Sequence, residues 1–244
     1  MYHFFTSPEN IGGGQVQITG PDVNHIRNVL RMKAGEELLV SDGSGTDYTC
    51  RIAEITDSSV VCEVVGEGAS LSECPVRFCL FQGLPKADKF EHIIQKAVEL
   101  GVYEIIPVQT ARSIVKYDDR KAAAKRERWQ KISESAAKQS RRGIVPEVRE
   151  IMTFKEAVAE AAGLDMNIIP YENFKDMKST REILAEIRPG MSVGIFVGPE
   201  GGFEEKEVAM ANEAGIRSIS LGNRILRTET APLMLLSVLT FALE

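Results

Sequence analysis

From Val76 onward, short and continuously apolar runs alternate with amphipathic helical patterns, and this alternation restricts the fold more than any other feature. The runs at 76–84, 103–109, 166–171, 192–197 and 218–221 read as strands. Between and after them, helices are predicted at 88–100, 120–142, 153–162, 179–187 and 204–214, with a last one running to Leu243. Strands that are apolar at every position must be covered on both faces, which implies a parallel sheet with helices on each side. Two of the helices carry a capping box, Thr153-x-x-Glu156 and Ser179-x-x-Glu182, and Gly101 ends the first.

The first 70 residues follow another rule. Glu37–Ser41, Tyr48–Ile55 and Ser59–Val65 are rich in β-branched residues, and Gly43-Ser44-Gly45 makes a turn between two of them. A short helix fits Asp22–Arg31, with Asp22 as its cap. The stretch 66–75 (GEGASLSECP) has linker composition. The reading is therefore a small β domain over residues 1–70, a linker at 71–75 and an α/β domain over 76–244.

The four cysteines (Cys50, Cys62, Cys74, Cys79) form no Cys-x-x-Cys pair, and only three histidines exist to complete a metal site. No metal is expected, and reduced thiols in a cytoplasmic protein are the plain reading. The start of the chain lacks the basic and apolar regions of a secretory signal, and no apolar stretch is long enough to span a membrane. Net charge is −6, yet the segment 112–142 holds eleven Lys and Arg against four acids. A basic face on an acidic chain suits a nucleic-acid partner; a solvated helix face accounts for it equally.

Chemistry concentrates in two segments that follow strands near the C-terminus, VGPEGGF (197–203) and LGNRILRTETAP (221–232). Ligands of open α/β sheets bind at such strand ends. In the first, Gly198, Gly201 and Gly202 let the backbone approach a ligand, and Glu200 adds a carboxylate. The pattern is neither Gly-x-Gly-x-x-Gly nor a P-loop, which disfavours phosphate cradling. In the second, Arg224 and Arg227 share a face if the segment is helical, and either Thr228 or Thr230 could cap the last helix. An Arg227–Glu229 ion pair at a helix start is the bland alternative. Two arginines, an acid and two hydroxyls exceed what a cap needs.

Together with QGLPKADKFEHIIQKAVELGV (82–102) and ESAAKQSRR (134–142), these two segments resemble the bacterial 16S ribosomal RNA (uracil-N3) methyltransferase family of the SPOUT superfamily. The resemblance covers nearly the whole chain. It implies an N-terminal PUA-like β-barrel that helps grip RNA and a C-terminal SPOUT domain with a deep trefoil knot, an exception to unthreaded chains. It also implies a homodimer acting on 16S rRNA of the 30S subunit, with S-adenosylmethionine bound in the knot. The cofactor pocket then falls on Pro170, Tyr171 and Glu172; on Val197, Gly198, Pro199, Gly201 and Gly202; and on Leu221, Gly222, Ile225 and Leu226.

A sulfonium donor needs neither a metal nor a covalent enzyme intermediate; the protein must align the nucleophile and manage a proton. Arg227 is the expected stabiliser of a uracil anion, and Glu229 or Glu200 the expected proton acceptor or positioning group. RNA contacts are expected from Gln139, Arg141 and Arg142, from Lys86 and Lys89, and from Arg27, Arg31 and Lys33 on the small domain. The apolar final helix (Leu233, Leu235, Leu236, Leu239) is a candidate dimer surface. Two rivals stand beside this reading. One is a SPOUT enzyme acting on a ribose 2′-O or a tRNA base; the other is a non-catalytic RNA-binding assembly factor.

Overall fold

The computed structural model describes residues 1–243. It divides into two compact units: Met1–Glu73 with Ala137–Val145, and Cys74–Ala136 with Pro146–Glu244.

The first unit holds β1 (Tyr2–Phe5), β2 (Ile11–Gly12), β3 (Gln15–Thr19), β4 (Glu37–Ser41), β5 (Thr46–Ile55) and β6 (Ser59–Ala69). They pair in the order β1-β4-β5-β6-β3-β2, with β1 parallel to β4 and the other pairs antiparallel. Residues from both ends of this path, Phe4 on β1 and Val16 and Ile18 on β3, join one core with Leu38, Val40, Cys50, Ile52 and Val60. A flat sheet could not bring them together. Register shifts at Thr49/Cys50 and Ile52/Glu54 supply the bend. Burial pushes the thiols of Cys50 and Cys62 up to about 11 and about 12, so both stay protonated packing residues.

Three expectations for this unit need correction. The helix at 22–31 is a short α1 (Pro21–Asn24) continued by a π-helical turn, His25–Val29. Asp22 makes no cap: Gly20, at φ +73°, takes the N-cap position, and Asp22 pairs with Lys138 at 2.9 Å. The strand β6 runs on to Ala69, so the first four residues of the stretch with linker composition, 66–69, are ladder, ahead of the linker expected at 71–75.

The segment 137–145 belongs to this unit through a buried ion pair. Arg142, 3% exposed, donates to both carboxylate oxygens of Glu73 (2.6–3.1 Å), and the Gly143 and Ile144 N–H groups also donate to Glu73. Arg142 is therefore a structural cation here, and the expectation that it contacts RNA is withdrawn. A fork-shaped guanidinium meeting one carboxylate in two bonds is the favoured geometry for such a pair.

The second unit alternates as expected. It contains β7 (Arg77–Gly83), α2 (Lys89–Glu99), β8 (Glu104–Gln109), most of α3 (Asp119–Ser140), β9 (Glu147–Val148) and β10 (Met152–Thr153). Then follow α4 (Phe154–Ala161), β11 (Met166–Pro170), α5 (Met177–Leu184), β12 (Ser192–Val197), α6 (Glu205–Glu213), β13 (Arg217–Ile219) and α7 (Thr230–Leu243). The sheet order is β10-β8-β7-β12-β11-β13, with β9 also on β8, and every pair is parallel. All six residues of β12 are buried, as a strand covered on both faces requires. On one face Phe81 stacks on Phe196 at 4.4 Å among side chains of α4 and α6.

Thr153 caps α4 with the reciprocal bonds of its box. The second expected box does not form. The helix α5 starts earlier, and Asp176 caps it by accepting from the Ser179 N–H. The apolar residues of α7 also divide differently from expectation. Leu235, Leu236 and Leu239 are buried in the unit's own core, while Met234, Val238 and Phe241 are exposed.

Candidate functional site

The site lies where β11, β12 and β13 end. The first expected segment leaves β12 at Val197 and turns at once: the Gly202 N–H donates to Pro199 O at 2.9 Å, and Gly202 adopts φ +67°. Phe203 then drops into the core and the segment enters α6 through a capping box between Glu204 and Glu207. The turn is held from below by β7. A Cβ added to Gly83 would stand 2.6 Å from the Pro199 ring and 2.7 Å from its backbone nitrogen. Arg112 supports it from the side, donating to Gly201 O at 2.7 Å.

The second segment leaves β13 and returns to the middle of the sheet before entering α7. The Thr228 hydroxyl donates to Gly198 O at 2.7 Å and accepts from Gln82 Nε2 at 3.0 Å. Gln82, fully buried at the end of β7, also donates to Gly83 O. One buried hydroxyl thus joins the two segments to each other and to a central strand. Because that hydroxyl is committed, Thr228 is not the cap of α7; Arg227 O instead accepts the Thr230 and Ala231 N–H groups. The stretch before Thr228 is not helical, so Arg224 and Arg227 do not share a helix face.

Between the segments lies a cavity of about 300 Å³, at the lower end of the usual range for small-molecule sites. All twelve residues expected to hold the cofactor line it: Pro170 at the end of β11 with Tyr171 and Glu172 just after it, Val197 to Pro199 with Gly201 and Gly202, and Leu221, Gly222, Ile225 and Leu226. Arg227 and Glu200 also line it, as do Lys175, Arg224 and Lys89. Glu229 does not belong to the lining.

Lys89, expected on an RNA-facing surface, opens α2 and lies in the site. Its ammonium is 2.9 Å from Glu200 Oε1 and 3.6 Å from Glu229 Oε2. Both Glu200 oxygens also receive the Lys86 N–H, at 3.1 and 3.4 Å. Partial burial pushes the Glu200 carboxyl up, but the Lys89 ammonium and the backbone N–H groups outweigh it and hold the group below its ordinary value. The hydrogen bond with Glu200, opposed by desolvation and aided by Glu229, raises Lys89. Glu200 therefore stays anionic and Lys89 cationic near neutral pH. Glu229 Oε2 is buried with no hydrogen-bond partner among the described residues. The loop before α2 is strained as well: Ala87 sits at φ +55°, a conformation costing a non-glycine residue about 1–2 kcal/mol.

The remaining expected RNA contacts divide by availability. Gln139, Arg141, Arg31, Lys33 and Lys86 are exposed. Arg27 is paired with Asp57. Much of the basic charge on α3 is answered in place: Arg128 and Lys125 meet Glu91, Arg126 meets Glu147 and Lys131 meets Glu127. Such half-exposed pairs are weak and can exchange for other anions. Gln82 and Arg112 escape the sequence reading as site residues, and Thr228 enters it only as one of two hydroxyls near a helix start. A buried glutamine in an apolar strand was the one signal that could have marked the first.

Comparison with known proteins identifies the family. Residues 72–240 match the family model of an RNA methyltransferase domain, and residues 18–65 that of an RNA methyltransferase PUA domain. The ribosomal RNA small subunit methyltransferase E of Bacillus subtilis is 40% identical over 230 residues, covering 93% of this chain and 90% of that protein. The protein of that name from Synechocystis is 30% identical, over 100% of this chain and 78% of its own length. Among solved structures, the Neisseria gonorrhoeae ribosomal RNA small subunit methyltransferase E, bound to S-adenosyl methionine, superposes with a TM-score of 0.84 at 35% identity, covering 99% of this chain and 98% of that one. A Legionella pneumophila methyltransferase in complex with SAM gives 0.82 at 31% identity, over 98% and 97% of the two chains. The chain belongs to the ribosomal RNA small subunit methyltransferase E family.

Proposed function

We propose that the protein methylates N3 of a specific uridine in 16S rRNA of the small subunit, using S-adenosylmethionine as donor. The observation that carries this reading is the convergence of three sequence-distant stretches, 170–172, 197–202 and 221–227, on one cavity at strand ends. The residues present fit the donor. Leu221, Ile225 and Leu226 offer an apolar wall to a flat neutral base, and backbone N–H groups of the glycine turn can bond its edge. Glu200 offers a fixed negative charge to a cationic ligand. When bound, the donor supplies an electrophilic methyl group on sulfonium sulfur.

The chain's own residues then have separable tasks. Arg227, exposed at the cavity edge, stabilises negative charge on the uracil carbonyl oxygens once N3 loses its proton. Glu200 or Glu229 accepts or positions that proton. Ile225 lines the cavity at its rim and is 83% exposed, so the part turned away from the donor offers an apolar surface suited to cover by a nucleobase. Gln139, Arg141, Arg31, Lys33 and Lys86 supply phosphate contacts that set affinity without reading sequence. The return of the second segment across the sheet end is the course a trefoil knot requires, and we infer that knot here. We infer also a homodimer. Met234, Val238 and Phe241, spaced four and three apart on α7 and exposed by 38%, 49% and 88%, form a one-sided apolar stripe that a second copy would cover.

The test is methylation of 30S subunits or 16S rRNA lacking the modification, followed by nucleoside mass spectrometry. 3-Methyluridine is the expected product; 2′-O-methylation would sink the assignment. An Arg227→Ala protein should bind S-adenosylmethionine normally while its turnover falls about 10²–10³-fold. Full-rate methylation by that variant would remove Arg227 from the mechanism. Sedimentation of the wild type as a dimer, and of Phe241→Glu as a monomer, is the outcome expected for the α7 stripe.

A further inference from the structure

We propose that Lys89 is a positioning residue of the reaction site: its ammonium ties Glu200 of the first wall segment to Glu229 of the second and so sets the spacing of the two walls. The inference rests on reading this cavity as the methyl-donor site, and it replaces the expectation that Lys89 contacts RNA phosphate.

Three observations carry it. Lys89 is the N-terminal residue of α2, so its position is fixed by a helix whose Phe90, Ile93, Ile94, Ala97 and Val98 are buried. Its ammonium reaches Glu200 at 2.9 Å and Glu229 at 3.6 Å, and these two glutamates stand on different segments, 29 positions apart in sequence by their numbers. Finally, Glu229 Oε2 is buried with no hydrogen-bond partner among the described residues. A buried carboxylate oxygen without a partner is costly, and the Lys89 charge is what faces it. Removing that cation would leave two carboxylates close together with nothing between them, and their repulsion would separate the segments that carry them.

The two segments are therefore joined twice. The inner join is neutral and buried, through Gln82, Thr228 and Gly198 O. The outer join is charged and lies at the cavity edge, through Glu200, Lys89 and Glu229. The outer one governs how closely the walls approach a ligand, and it contributes no proton: Lys89 is raised and stays charged.

The experiment is titration calorimetry of S-adenosylmethionine, with no RNA present, into the wild type, Lys89→Met and Lys89→Arg. The expected result is a Kd about tenfold weaker for Lys89→Met, or about 1.4 kcal/mol, with substantial recovery in Lys89→Arg because a guanidinium also bridges two carboxylates. Wild-type donor affinity in Lys89→Met, combined with a loss of 16S rRNA affinity and a salt slope lower by about one, would overturn the proposal and return Lys89 to the phosphate contacts. A denaturation double-mutant cycle of Lys89→Met with Glu229→Gln reads the same tie without any ligand. Coupling supports it, and strict additivity overturns it. If the wild type binds no S-adenosylmethionine, the reading of the cavity fails, and the cycle still decides the tie.

Discussion

At Gly83 the constraint comes from a neighbour more than a hundred residues away in sequence. The Pro199 ring and nitrogen occupy the space of any side chain there, at 2.6 and 2.7 Å from an added Cβ. Both atoms belong to backbone or a ring, so neither can swing aside. Gly83→Ala is expected to cost about 1–3 kcal/mol, measured by urea denaturation, and to push the first wall segment off the end of β7. Thr228 is the complementary case. Thr228→Val keeps the shape but leaves Gly198 O and Gln82 Nε2 without the hydroxyl that joins them, at a cost of about 1–2 kcal/mol. At this scale the sequence showed residue types accurately and partners hardly at all. The cofactor residues were legible because glycines and apolar side chains cluster at strand ends. Gln82 and Arg112 were not, because their work is defined by loops that only folding brings beside them.

Among the elements, α5 shows how a correct helix can have the wrong start. Ser179-x-x-Glu182 has the pattern of a capping box, but Asp176 precedes it and its carboxylate takes the Ser179 N–H first. Asp176→Ala should therefore destabilise by about 1 kcal/mol, whereas Ser179→Ala should stay within about 0.5 kcal/mol. Equal losses in thermal denaturation would contradict this assignment. The start of α5 matters to the site, since Thr180 Oγ1 donates to Asp176 O and accepts the Ser220 N–H at the cavity edge. The small unit went further astray. Its short β1 and β3 were not expected, because runs of four and five residues with mixed polarity carry little periodic signal. The helix at 22–31 is instead a brief α1 and a π turn, with Val23 and Ile26 both in the β core.

For the molecule as a whole, the first unit includes a segment, 137–145, that sequence order places far from it. Its anchor predicts a large effect: Glu73→Gln leaves the buried Arg142 guanidinium poorly matched and should cost about 3 kcal/mol, read by denaturation. A second test concerns pH. The Ser41 hydroxyl donates to Asp47, so His3 Nε2 donates to Ser41 at 2.6 Å, and His3 Nδ1 is left buried without a partner among the described residues. Desolvation lowers the His3 pKa; Asp47 opposes this, and Arg141 and Lys138 add to it. Below its ordinary value of about 6.5, the unfolded chain takes a proton that the folded one refuses, so stability falls as pH drops through that value toward the folded-state pKa. His3→Gln should flatten the stability profile as pH falls below about 6.5, and an unchanged slope would refute this account. Local and periodic features are legible before the chain folds: the alternation that makes a parallel sheet, the strand-end glycines, and four motifs dense enough to imply a family. Which charges find partners is settled by the fold. Arg142 went to Glu73, and Lys89 to two glutamates that meet only when the second segment returns across the sheet. The physical reason is that a charge reports its own sign in sequence, while its partner is chosen by distance and burial, which exist only after the chain has folded.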